Sequence, residues 1–175
     1  MKQMLKHLLL CYFFSVLPIS ALADPFADLN ITPVTTDVFA PEFNTLNLNG
    51  NKTNLSDYAG NVVLLNFWAT WCSPCRREMP DMEKLWQRYQ DSGFVVVGMS
   101  NDEGDKRKRI ATFIKKVKLS FPILLDPDSK ISDLYDVSGI PVSFLINREG
   151  KIVAKIVGTR EWASPEAFAL IEQLL

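Results

Sequence analysis

VVLLNFWATWCSPCRREMP, residues 62–80, passes from one backbone periodicity to another within a few residues. Residues 62–68 form a continuous apolar run of the kind that makes a buried strand. Beyond the two cysteines, Met79, Met82, Leu85, Trp86 and Tyr89 recur at helical spacing, with Arg76, Arg77, Glu83, Lys84 and Arg88 available for the wet side. The spacing predicts a strand running into an amphipathic helix over about 73–91, with Cys72 and Cys75 at its first turn. FVVVGMS (94–100) reads as a second apolar strand, which makes a βαβ unit with parallel pairing.

Upstream, FNTLNLNGNKTNL (43–55) reads as a hairpin turning at Asn49-Gly50. Residues 24–40 carry three acids, two prolines and no sustained periodicity, and read as a loosely packed lead-in. Downstream, KRKRIATFIKKVK (106–118) sets Ile110, Phe113, Ile114 and Val117 on one helical face. Its basic run is read as a solvated helix face, with docking to an acidic partner or a membrane surface as the alternative. FPILLD (121–126) is a short strand, and 129–135 is a short helix. PVSFLIN (141–147) and KIVAKIVG (151–158) form a closing hairpin, and 164–175 is a last helix with Ser164 as N-cap and Pro165 at its first position. This order of elements describes an α/β fold, a mixed sheet with helices on both faces.

The chain begins MKQMLKHLLLCYFFSVLPISALA (1–23): two lysines, an apolar stretch, then Ala21-Leu22-Ala23 as a small-x-small site. This is a secretory leader, with cleavage expected after Ala23. The apolar part is shorter than the ~20 residues of a spanning helix and is interrupted by Pro18; an uncleaved membrane anchor is the alternative. Export predicts a periplasmic or otherwise extracytoplasmic protein with one domain over 41–175. Cleavage removes Cys11 and His7, the only histidine. Two of the 19 Lys and Arg residues and none of the 20 acids leave with the leader, so the formal charge goes from −1 to −3, and no nucleic-acid partner is expected. Without histidine a Cys-His or Ser-His-Asp triad is excluded.

Cys72 and Cys75 remain, as staple or as reagent. Closing a loop of about four residues constrains the unfolded chain by roughly 2 kcal/mol, against ~4.7 for a loop of 100. A structural zinc site wants four ligands, and no second Cys/His pair exists. Redox chemistry is the stronger reading. At a helix N-terminus, free N–H groups and the macrodipole favour an anion. The thiolate is the attacking species, about 3% of the thiol at pH 7 when the pKa is ~8.5 and about half when it is ~7. Pro74 lies within the first turn, where its missing N–H costs nothing and its fixed φ stiffens the ring. Cys72 is expected to form the mixed disulfide with a partner, and the less accessible Cys75 to resolve it.

NFWATWCSPCRREMP, preceded by APEFNTLNLNG and followed by FPILLD and GIPVSFLINREGK, resembles the extracytoplasmic thioredoxin-like thiol:disulfide oxidoreductases of the TlpA/ResA type, relatives of the cytochrome c maturation thioredoxins. The resemblance covers roughly residues 40–175. It implies a thioredoxin fold, a mixed central sheet flanked by helices, with an added N-terminal β-hairpin and a central insertion over about 101–125. By position it implies that Pro141 is a cis-proline beside the disulfide and that the backbone of Ile140 pairs with a substrate strand. It also implies that Glu78 lies near the thiols, where it exchanges protons and tunes their pKa. Asn66 stands where ordinary thioredoxins carry a buried acid, which leaves Glu78 the better proton acceptor. Trp71 is expected at the rim, reporting redox state by fluorescence.

The function implied is dithiol–disulfide exchange that reduces disulfides in partner proteins, for example in cytochrome c maturation. A membrane electron donor would regenerate the dithiol, and the protein would act as a monomer without cofactor or metal. The alternative is a Cu(I) metallochaperone using the same thiolates with Met79 or Met82. A peroxidase is weighed on the resemblance of SPCRRE to a peroxidatic cysteine environment, but the residues before it do not match that motif.

Overall fold

The computed structural model describes residues 24–175. The leader, its cleavage site, Cys11 and His7 lie outside the described residues. Five strands form one sheet: β3 (Val62–Trp68), β4 (Phe94–Ser100), β5 (Ile123–Leu125), β6 (Val142–Ile146) and β7 (Ile152–Val157). Their spatial order is β5-β4-β3-β6-β7. The β3–β4 and β4–β5 pairs are parallel, while β3–β6 and β6–β7 are antiparallel. The sheet is mixed, as expected, and β1 (Asn44–Leu46) and β2 (Lys52–Asn54) make the separate two-stranded hairpin.

The period of two along β3 sorts its side chains between two cores. Val62, Leu64 and Trp68 join the cluster under α2 (Ser73–Tyr89), α3 (Arg107–Val117) and α5 (Pro165–Leu174), whereas Val63, Leu65 and Phe67 join Ile131 of α4 (Lys130–Leu134) on the other face. Asn66 falls between Leu64 and Trp68, so its amide points toward α2. Gly98, paired with Asn66, admits the closely packed Trp68: a Cβ there would stand 3.1 Å from the indole nitrogen and 2.8 Å from Ile123 Cδ1.

Two expectations differ from the structure. Helical spacing makes Glu83 available for the wet side of α2, but it is buried, and the backbone N–H and hydroxyl of Ser120 donate to its carboxylate (2.8 and 2.5 Å). The insertion thus closes over a helix position that would otherwise face water. Residues 24–31 are packed rather than loose, while 32–39 stay largely exposed along the β7 side. Around the short helix α1 (Pro25–Asp28), Phe26, Leu29 and Ile31 are buried in the α5-side core, and Pro33 and Phe39 bridge the β7 side of the sheet at Ala154 and Lys151. Three apolar residues without periodicity were enough to anchor a strap.

Candidate active site

β3 ends at Trp68, and three residues of loop deliver the chain to Cys72, the N-cap of α2. Asp102, just past β4, holds that loop: the Thr70 backbone N–H donates to its carboxylate at 2.8 Å and the Thr70 hydroxyl at 2.5 Å, while Ser100 donates from below at 2.8 Å. Neither Thr70 nor Asp102 carried a sequence signal, because their pairing depends on adjacent parallel strands ending level.

Cys72 and Cys75 are joined as a disulfide. Cys72 is 5% exposed and Cys75 fully buried, which makes the first sulfur the accessible one. The Cys75 backbone N–H donates to Cys72 Sγ at 3.2 Å, so one of the free donors of the helix start is aimed at the first sulfur. Pro74 lies at the start of α2, as the sequence places it. Trp71 is 61% exposed and forms the rim. On the far side, the Ile140 carbonyl oxygen lies 3.9 Å from Cys72 Sγ, and the Ile140–Pro141 peptide is cis. Residues 71–75 and 140–141, distant in sequence, thus meet at one surface.

Glu78, one turn beyond Cys75, is 4% exposed. Three neutral groups donate to it: Asn66 Nδ2 to Oε1, and the Arg160 backbone N–H and Trp162 Nε1 to Oε2, each at 3.2 Å. Burial pushes the carboxyl up from 4.5 to about 7, against the opposing pull of these donors and of the Arg160 charge. Asn66 also donates to Ser143, its register partner on β6, at 3.0 Å, while its own Oδ1 has no partner among the described residues. Arg160, Trp162 and Ser143 were not legible in the sequence; Arg160 contributes a backbone group, which no side-chain pattern reports. The arrangement combines a slightly exposed sulfur at a helix start, a fully buried second sulfur, and a buried carboxyl raised to about 7.

The family described as AhpC/TSA matches residues 37–155. The chain is 41% identical to the thiol-disulfide oxidoreductase ResA of Bacillus cereus over 119 residues, 68% of either protein. It is 40% identical to the ResA of Bacillus subtilis over 120 residues, 69% of this chain and 66% of that one. The solved thioredoxin domain of a thiol-disulfide oxidoreductase from Bacteroides vulgatus superposes with a TM-score of 0.68 at 29% identity, covering 80% of this chain and 97% of that domain.

Proposed function

The chain belongs to the AhpC/TSA family and, within it, to the ResA/TlpA-type thioredoxin-like thiol-disulfide oxidoreductases, and from that premise we propose that it is an extracytoplasmic reductant of protein disulfides. Exchange with disulfide-containing proteins through the Cys72–Cys75 pair is the activity; its direction, place and residue roles are the proposal. The observation that carries the roles is the asymmetry of the two sulfurs, with Cys72 reachable and facing a helix-start N–H and Cys75 buried behind it.

In the reduced protein the Cys72 thiolate attacks one sulfur of the partner disulfide, forming a mixed disulfide and expelling the other partner sulfur as a thiolate. Cys75 then gives up its proton and attacks Cys72 Sγ, closing the protein disulfide and releasing the second partner thiol. Two electrons pass to the partner. Glu78 is the acceptor assigned to the Cys75 proton, because a carboxyl with a pKa of about 7 is partly ionised at neutral pH and can take it. The exposed Trp71 ring and the Ile140 backbone are proposed to seat the substrate segment, with Pro74 and Pro141 shaping the surface around the sulfurs. A membrane donor is proposed to return the protein to the dithiol, and a cysteine-pair disulfide in apocytochrome c, reduced to its two thiols, is one substrate class that fits.

Replacing Cys75 with Ser tests the scheme, since the mixed disulfide then has no resolving thiol. Partner proteins are expected to accumulate on Cys72 and to be released by dithiothreitol, whereas Cys72→Ser traps nothing and loses turnover of insulin disulfides. Retained turnover in Cys72→Ser would reject the assignment of the nucleophile.

A further inference from the structure

Beside the disulfide lies an open groove of about 550 Å³ between the head of α2 and α3. Thr70 and Arg76, the residues flanking Trp71–Cys75 in sequence, line it; half-buried Phe113, its ring 5.4 Å from that of Trp68 and tilted to it, contributes apolar wall. Arg76, Lys106, Lys108, Arg109 and Lys116 line it, all exposed, and the one acid in the lining, Asp105, is engaged by Arg107 at 3.2 Å. Among the described residues none of these five cations makes an ion pair or a side-chain hydrogen bond to the rest of the chain.

The placement of this charge runs against local helix energetics. Lys106 through Arg109 are four successive cations at the start of α3, where the positive end of the helix dipole disfavours them, and the first turn holds no acid. The chain as a whole has a slight acidic excess, so the groove is a local reversal of sign rather than a sample of the average surface. A solvated helix face needs neither the reversal nor the position beside Cys72. A flat anionic membrane surface would meet exposed cations but not a concave groove with an aromatic wall.

Resting on the oxidoreductase reading above, we infer that this groove binds an acidic, extended segment next to the disulfide of the protein substrate, and so selects among substrates. The segment lies along α2 and α3 while its cysteine meets Cys72. The reaction is unchanged: the two protein thiols are oxidised to the Cys72–Cys75 disulfide, and the peptide disulfide is reduced to two thiols, taking up two electrons and two protons.

The test uses reduced protein and three short cyclic disulfide peptides of equal length, flanked by Glu, Gln or Lys, with oxidation followed by Trp71 fluorescence and acid-quenched mass spectrometry. At low salt the Glu-flanked peptide is expected to react about tenfold or more faster than the Lys-flanked one. That ratio should fall toward one in ~1 M salt, where the screening length is about 3 Å. The double variant Arg109→Glu, Lys116→Glu should invert the preference. Lys84→Glu with Lys130→Glu makes the same change in net charge outside the groove and should retain it. Equal rates for all three peptides, or loss of preference in both double variants alike, overturns the groove assignment alone. So does binding to phosphatidylglycerol vesicles that is lost in the groove variant while the peptides show no charge preference, which would assign the patch to a membrane. Failure of the wild-type dithiol to react even with the Gln-flanked peptide overturns the oxidoreductase reading and the groove with it.

Discussion

The carboxyl of Glu78 is caged by three neutral donors from two separate segments, β3 and the loop over 158–163, and its proton links stability to pH. Its pKa rises from 4.5 in the open chain to about 7 in the fold, so the folded protein holds the proton more tightly. The stabilisation is fully present below the unfolded value and is lost as pH rises through about 7. Glu78→Gln keeps the cage neutral at every pH. Wild type is therefore expected to lose up to about 3 kcal/mol relative to this variant between about pH 5 and about pH 8, seen as diverging urea midpoints. Exchange kinetics supply a second readout. Removing the charge should lower the apparent Cys72 pKa by relieving like-charge repulsion, yet slow resolution of the mixed disulfide by removing the proton acceptor. If thiolate titration and stopped-flow exchange both leave the variant unchanged, Glu78 is only a structural acceptor.

α2 is held at its head and in its middle by residues outside it. Its head depends on Thr70 and Asp102, and its middle is tied to the insertion through Glu83, which accepts from Ser120 and from Gln87 at 2.8 Å. Glu83→Ala would strip the Ser120 N–H and hydroxyl of their acceptor, at a cost of about 2–3 kcal/mol if water cannot replace it. Hydrogen exchange is expected to show faster opening around residue 120 in the variant, with β3 protected as before. Uniform loosening of β3 and the insertion would instead show that the insertion unfolds only with the whole domain.

At the scale of the whole molecule, the strap over 24–40 joins the N-terminal end of the described chain to the site. Phe26 is buried beside α5, and the Arg160 guanidinium donates to the Leu29 and Asn30 carbonyls at 2.9 and 3.2 Å, while the Arg160 N–H serves Glu78. Phe26→Ala is expected to cost about 3 kcal/mol, the lower part of the range for buried Phe, because the strap can partly collapse onto the void. Thermal melts measure it. The same variant should move the pH-dependent midpoint associated with Glu78 if strap and cage unfold together; a melt indistinguishable from wild type would make the strap independent of the domain.

Residues 62–100 show how much was legible. Both strands and the intervening helix lie within two residues of the boundaries their apolar patterns predict, and Cys72 stands at the helix start because the strand stops at Trp68. Strand and helix periods, the Ser164 cap and the C-x-x-C spacing are local properties, so the sequence by itself determined the order of elements, the mixed sheet and the position of the thiols. Burial is not local. Helical spacing puts Glu78 on the face of Met82, Leu85 and Tyr89 and Glu83 at the edge of that face, yet it cannot report that Trp162, 84 residues on, donates to one and Ser120, 37 residues on, to the other. Only the tertiary structure decided that burial raises the Glu78 carboxyl and which basic helix face became the wall of a groove, because desolvation and field depend on neighbours that chain folding, not sequence adjacency, supplies.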